Sequence, residues 1–559
     1  MRELGLFARD FIFLLTAALI GNLLGRYNAG VQVESWFNRM ARHRTTAILI
    51  CAAAAMIPRL AALPWVPPPE PDVQDEFSYL FGAQTLLAGR LTNPTPALWQ
   101  HFETFHINMV PSYQSMYPPA PFAFYSLGIW LGKNAWWGVW LATGLVSAAV
   151  CWALQPILRP RWALLAGLVF AVKYGMITRY SETLFGGTVP ALGGALALGA
   201  FVRLRSGGQQ KNAVLLMFGI ALLANSRPYE GLLFAIPIAV ATLTWILKNR
   251  RYTALALTAA LVAILLAGMA FYNLRGTGNA LKMPYMVNYE QYHFVRPFLG
   301  FGMRAAPHYR HYEMALDYDY WEGVPGRQAQ TLAGIMSLLR ERFRFYYSHL
   351  FPLQLLIFVG VAVAFASPQR RLLAYTFLLV ACGAIIVVWR PSITYAGPIV
   401  VSYCGLGVLG LRWVRVSPYL GRRARLFWPR GVVVLLLLAS LGNLYEGMRK
   451  GLRPAFTFPL QWNLERTRIL HDLEKLGGEH LVLIKYLPQH VFYQEWVYNS
   501  PEIDKQKVIL ARAMSAEEDC ALIRHYPGRQ TWILEPDRFP TLLIPLETWP
   551  IGPKCGWQR

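Results

Sequence analysis

Long apolar runs alternate with short polar breaks from the start of the chain to about residue 447. The runs are about 15 to 21 residues long, the length at which a helix crosses a ~30 Å hydrocarbon core. In order they fall near 45–64, 134–154, 162–178, 188–204, 213–225, 230–247, 253–272, 350–366, 371–389, 397–411 and 431–447. A shorter run, 11–25, reads either as a twelfth span or as a half-inserted helix. Arg9-Asp10 before it and Gly25-Arg26-Tyr27 after it do not suit a cleaved signal peptide. The expected fold is an α-helical polytopic membrane protein with about 11–12 transmembrane helices.

The pattern divides the chain into three parts. Residues 1–44 form a membrane-associated N-terminal segment, and 45–447 a transmembrane domain interrupted by two long loops, 65–133 and 273–349. In the first loop Asp75–Leu87 reads as a helix, and Phe122–Leu131 is apolar enough to lie along a membrane surface. Between them the run Pro118-Pro119-Ala120-Pro121 turns the chain back toward the bilayer. Past residue 447 the period changes. A polar helix (Asn463–Leu476), strands (His480–Tyr486, Lys507–Ala511, Gln530–Glu535) and a helix (Ala516–Tyr526) predict a small α/β domain over 454–559, long enough to bury a core of its own.

Composition agrees with this division. Of 559 residues 55% are hydrophobic and only 15% charged, against roughly 25% in soluble domains. The net charge of +23 is mostly a topology signal rather than a sign of nucleic-acid binding. The loops 155–161, 203–211, 248–251, 367–371 and 412–430 hold sixteen Lys or Arg and no acid, which assigns them to the cytoplasmic side. The long loops and the tail then lie outside. Cys520 and Cys555 are the cysteines of that tail, where an oxidising compartment permits a disulfide between them.

Candidate chemistry concentrates on the same side. Asp75-Glu76 follows the run Pro67-Pro68-Pro69-Glu70-Pro71-Asp72, where the chain leaves the membrane. Such a pair can act as a general base, hold a cation or bind hydroxyls; its plain alternative is capping of the helix that starts there. His101, Glu103 and His106 follow. Their spacing does not put both imidazoles on one helical face, so no metal site is read from them, and a divalent cation on the carboxylates is the one cofactor left open. Glu182 offers another carboxylate, with a salt bridge to Arg179 as the alternative. Arg179, Arg227, Arg275 and Lys282 are candidate anion-binding cations, or else snorkelling side chains.

An acidic pair after the first span, the aromatic Tyr79, Ala88-Gly89-Arg90 closing a helix, Pro94, and Tyr117-Pro118-Pro119 before a second apolar helix form a recognisable order. This order resembles the first external loop of the GT-C glycosyltransferases, within the family 39-like group of protein O-mannosyltransferases and lipid A aminoarabinose transferases. The resemblance covers residues 45 to about 350 and leaves the tail unexplained. It implies a membrane glycosyltransferase that takes sugar from a polyprenyl-phosphate donor and delivers it, by inverting displacement, to a glycan, lipid or protein acceptor. It also implies a bacterial inner-membrane location, with the site and the C-terminal domain in the periplasm.

On that reading Asp75 is the base, with Glu76 and Glu182 as supporting carboxylates. Arg227, Arg275, Lys282 and Arg179 are candidates for the donor phosphate, and Tyr79, Tyr113, Tyr117, His101, Glu103 and His106 for the sugar and acceptor pocket. One position departs from the family: a lysine often precedes the Pro-Pro pair, and here Met116 stands there. Two readings of other classes remain: a non-catalytic envelope-assembly or glycan-binding protein, and a lipid or polysaccharide transporter. The spans hold few ionisable residues and show no repeat, which speaks against transport.

Overall fold

Glycines set how closely the membrane helices pack. In the computed structural model, which describes residues 2–25, 29–207, 210–350, 352–450, 462–549 and 555, the helices Gln354–Phe365 and Val400–Val416 meet through Gly360 and Gly410. A Cβ on Gly360 would fall 2.0 Å from the Leu406 carbonyl oxygen, and one on Gly410 would fall 1.9 Å from that of Leu356. Such contacts let backbones approach where lipid provides no hydrophobic drive between helices. Gly21 and Gly431 join Arg2–Gly25 to Arg422–Lys450 in the same reciprocal way. Asp10 meanwhile accepts hydrogen bonds from Gln354 (2.5 Å) and Tyr347 (2.6 Å) at the opposite end of the bundle. The run 11–25 is thus part of one continuous helix packed along Arg422–Lys450.

Six of the described helices are long and apolar enough to cross a membrane: Arg44–Ala61, Trp136–Leu154, Pro228–Lys248, Tyr252–Thr277, Ile393–Val416 and Arg422–Arg449. Others are shorter than their apolar runs. Gln354–Phe365 has 12 residues, about 18 Å at ~1.5 Å per residue, because Pro352 and Pro368 bracket it. At the end carrying the basic loops, Glu34 of helix Ala29–Arg42 bridges Arg415 and Arg430, each at 2.8 Å.

The long loops cover the other end. The first contains the helix Gln74–Leu87, a 3-10 turn Trp99–Phe102, and the antiparallel pair β1 (Ile107–Asn108) and β2 (Gln114–Ser115). It closes with helix Ala120–Gly132, opened by Pro119 at its cap. Phe122 of that helix packs on Gly82, while Trp130 and Leu131 remain exposed.

The tail forms a four-stranded sheet in the order β4-β3-β5-β6 from β3 (His480–Ile484), β4 (Val508–Arg512), β5 (Gln530–Glu535) and β6 (Leu542–Pro545). β3 runs parallel to β4 and β5, and β6 is antiparallel to β5. Every residue of β3 and β4 is buried, as expected of parallel strands covered on both faces. Helix Ala516–His525 is capped by the Ser515–Glu518 box, and Cys520 is disulfide-bonded to Cys555. The expected domain limits near 454 and 559 lie outside the described residues.

The tail does not have a core to itself. Phe77, Phe81, Phe102, Ile107, Met109 and Tyr113 of the first loop share one buried cluster with Trp462, Ile469, Leu483 and Tyr498. The sequence reading treats the tail as a separate module; its hydrophobic interior is in fact completed by the loop that carries Asp75.

Candidate active site

The helix Gln74–Leu87 places its first two acids in different surroundings. Glu76 is fully buried, and its carboxylate accepts hydrogen bonds from the Leu184 N–H (2.8 Å) and the Asp72 N–H (3.0 Å). It joins the helix start to the loop after Glu182, close to the capping role that is the plain reading of such an acid. Asp75 is left half-buried, its side chain 24% exposed.

Asp75 Oδ1 accepts a short hydrogen bond from the Tyr117 hydroxyl and lies 4.0 Å from His106 Nδ1. Nδ1 is 3.5 Å from the same hydroxyl. His106 has a left-handed backbone (φ 59°), held because Ser78 Oγ (2.6 Å) and the Met116 N–H (3.0 Å) both donate to its carbonyl. Burial lowers the His106 pKa and the nearby His293 lowers it further, against the pull of Asp75. Burial, and then the Asp75 charge, raises the Tyr117 phenol well above its ordinary value. The Asp75 side chain thus sits between two partners whose surroundings favour their neutral forms, the Tyr117 phenol and the His106 imidazole.

Aromatic rings back this trio. Tyr79 stacks on Tyr117 with centroids 4.3 Å apart and meets Tyr125 edge-on. The buried Tyr79 hydroxyl has no hydrogen-bond partner among the described residues. It points at Gly186, whose φ of +71° and missing Cβ leave room for it. Met116 is buried in the same aromatic cluster.

Two guanidiniums face the trio. Arg227 caps the helix Pro228–Lys248; its Nη2 donates to the Phe185 carbonyl (2.9 Å) and its guanidinium lies 4.9 Å from the centre of the Tyr395 ring. Burial alone lowers the Arg227 pKa, but Tyr79, Glu230, Tyr395 and Tyr117 more than offset it, so the charge is secure. Its Nε is shielded from solvent without a partner among the described residues. Arg179 sits in the field of Asp75, Glu76 and Asp72, which oppose the lowering of its pKa by burial.

No protein-family model matches the sequence, and no curated protein matches it by sequence. Solved structures match over nearly the whole chain. ArnT from Cupriavidus metallidurans in the apo state aligns with a TM-score of 0.50 at 12% identity, over 88% of this chain and 93% of that one. This chain has a GT-C-like fold. The apo oligosaccharyltransferase of Archaeoglobus fulgidus aligns with a TM-score of 0.49 at 11% identity, over 88% and 69% of the two chains. ArnT bound to undecaprenyl phosphate gives 0.43 at 13% identity, over 87% and 93%.

Within this GT-C-like bundle the other sequence candidates are placed elsewhere. His101 Nδ1 meets the Arg512 carbonyl oxygen (2.9 Å), and the Glu103 carbonyl accepts from Arg512 Nε (3.0 Å). Glu103 also takes the Tyr292 hydroxyl at 2.7 Å, and burial raises its pKa against that bond. Both residues fasten the first loop to the tail. Tyr113 is buried against Phe81. Glu182 forms a bidentate pair with Arg59 (2.8 and 3.0 Å), and Arg59 also packs on Trp136. Lys282 pairs with Glu290, and Arg275 is exposed. Among the described residues no cluster of three or more His, Cys, Asp or Glu is arranged to hold a metal ion.

Sequence reasoning missed two parts of the site. Tyr395, under Arg227, opens the span Ile393–Val416 just before Gly397-Pro398, and an aromatic beside such a helix-opening pair was the available signal. Asp317 accepts from Gln74 Nε2 at 3.0 Å, next door to Asp75; nothing in the sequence of the second loop marks it.

Proposed function

We propose that this protein is a membrane glycosyltransferase that moves a sugar from a polyprenyl-phosphate carrier to an acceptor hydroxyl at the Asp75 end of the bundle. The observation that carries the reading is the half-exposed Asp75 carboxylate, flanked by Tyr117 and His106 and facing Arg227 and Arg179 across an aromatic pocket. The GT-C-like fold supports the class of reaction, and the sequence resemblance supports the lipid donor.

Asp75 takes the proton of the acceptor hydroxyl as its oxygen attacks the anomeric carbon. The bond from that carbon to the phosphate oxygen breaks, and the lipid phosphate leaves with the electron pair. A single displacement inverts the anomeric centre. Arg227 and Arg179 hold the phosphate as its charge grows, in place of the lysine absent at Met116. The Tyr79 ring backs the Tyr117 phenol from the buried side. Glu76 and the Arg59–Glu182 pair hold the loops that frame the pocket. The sixteen basic residues at the other end support a site facing the periplasm of a bacterial inner membrane.

The test is transfer of label from radiolabelled polyprenyl-phosphate sugars to envelope glycans, lipids or proteins by the purified protein, with retained donor read by native mass spectrometry. Asp75→Asn should reduce transfer by at least about 100-fold and keep the donor adduct, whereas Arg227→Ala should lose the adduct. Full transfer by Asp75→Asn, or no adduct with any polyprenyl-phosphate sugar, would overturn the reading.

A further inference from the structure

In the second loop a π-helical turn, Asp319–Gly323, buries acids and exposes aromatic rings. Asp317, just before it, accepts from Gln74 beside Asp75 (3.0 Å), which ties the turn to the helix that carries Asp75. Glu322 accepts from the Phe294 N–H (2.8 Å) and lies 2.7 Å from His293 Nδ1, which ties it to the rest of the loop. Tyr320 and Trp321, between these buried acids, stay 40% and 37% exposed and meet edge to face with centroids 5.1 Å apart. Turns of this kind recur at functional sites.

Two distant parts of the chain meet these rings. Phe492 of the tail lies 5.4 Å from Tyr320. Arg390, on the loop before the span Ile393–Val416, sets its guanidinium 4.3 Å from the centre of the Tyr320 ring and 5.9 Å from that of Trp321. Its Nε is shielded from solvent, and among the described residues the side chain has no hydrogen bond or ion pair. The third acid of this stretch, Asp319, is paired with Arg327 (2.5 and 2.9 Å). An arginine stacked on a ring keeps its N–H edge for a planar anion. Exposed rings beside it offer apolar faces on which the C–H faces of sugars can lie. A single guanidinium close to several acids suits one negative charge rather than the two of a phosphate.

We propose that Tyr320, Trp321, Phe492 and Arg390 bind a carboxylate-bearing oligosaccharide, with sugar rings on the aromatic faces and a uronic-acid carboxylate on Arg390. The platform takes residues from the second loop, the tail and the loop before Ile393, so it is complete only when the tail is docked. The binding site stands on this geometry alone. Its service as the acceptor site for Asp75 rests on the glycosyl-transfer reading.

Isothermal titration of the detergent-released full chain tests it. The probes are trigalacturonate, a tetrasaccharide of alternating glucuronate and N-acetylglucosamine, the methyl ester of trigalacturonate, maltotriose and phosphorylated maltotriose. Wild type should bind at least one of the two uronic-acid probes, and the neutral ester and maltotriose at least about tenfold more weakly. Trp321→Ala and Arg390→Gln should each weaken that binding about tenfold at an unchanged melting temperature, with Arg390→Lys between Arg390→Gln and wild type. No binding of either uronic-acid probe, equal binding of the ester, tighter binding of the phosphorylated probe, or wild-type affinity in both Trp321→Ala and Arg390→Gln overturns the proposal. If Arg390→Gln does not fold, Trp321→Ala decides. The titration uses no donor, so failure of the glycosyl-transfer reading leaves this test standing. With donor present, label on the bound oligosaccharide supports the acceptor role, and binding without label removes that role alone.

Discussion

Replacing Tyr498 by alanine asks whether the tail holds Asp75 in its working position. Phe77, two residues beyond Asp75 on the same helix, stacks on Tyr498 at 4.2 Å with the rings within 3° of parallel. The Arg466 guanidinium lies 5.0 Å from the centre of the Phe77 ring, and the Trp462 ring 5.9 Å away. Removing a buried aromatic ring costs about 3–5 kcal/mol, of which the ring pair supplies about 0.5–1.5. Part of that loss would appear as tilt in the first turn of Gln74–Leu87. A displacement of about 1 Å at a reacting group slows a reaction on the order of 100-fold.

The expectation for Tyr498→Ala is therefore a kcat lower by about 10- to 100-fold in the transfer assay. KM for the lipid donor should change less than about threefold, since Arg227 and Arg179 stand on other elements. In a cycle with Phe77→Leu the double variant should be hardly worse than the poorer single, because both act through one contact. If Tyr498→Ala melts earlier yet keeps kcat within about twofold, the tail only stabilises the loop and the reasoning fails.

Three further outcomes follow from the geometry. Glu76→Gln should lower the melting temperature, since one of the Leu184 and Asp72 N–H groups would then face an amide NH2 that cannot accept, with a cost of about 1–3 kcal/mol; Asp75→Asn should melt close to wild type, and equal melting of the two would count against the assigned roles. Arg59→Leu leaves Glu182 buried without its counter-charge and should destabilise by about 3–5 kcal/mol, with much of the loss recovered in Arg59→Leu/Glu182→Leu; a single variant within about 1 kcal/mol of wild type would refute this. Burial holds the Asp317 carboxyl up to about 8, against the Gln74 bond and with help from the Asp75 charge. The native state then keeps a proton that the unfolded chain loses near pH 4, so the stability this gives is complete below about pH 4 and fades as pH rises through about 8. Asp317→Asn should flatten the fall in melting temperature between about pH 6 and 8.5, and an unchanged slope would refute the assignment.

What the sequence revealed depended on the range of the interaction. Asp75, Glu76, His106 and Tyr117 lie within 45 residues of one another, and their helix start, turn prolines and aromatics are local signals. β5 (Gln530–Glu535) was legible to the residue from its apolar run, whereas β6 escaped because Pro540 and Pro545 demote the segment around it. Arg59 near the end of an apolar run looks like a snorkelling cation, and nothing local reveals a partner 123 residues away. His101 and Glu103 carry the side chains of a binding pocket, and their assignment to the Arg512 junction is decided by residues more than 400 positions on. Phe77 and Phe81 lie on a helix face that the tail covers, and nothing local in the sequence names that partner.

The shared core of the first loop and the tail also sets a timetable for synthesis. The Asn463 amide donates to the Glu70 carbonyl across 393 positions of chain, and Trp462 and Tyr498 reach Phe77 over similar spans. At about 5–20 residues per second, some 20 to 80 seconds separate the emergence of the loop from that of its partners. Through that interval the loop has its carboxylates but not its apolar backing. A nascent chain would complete the proposed site only as its last domain docks.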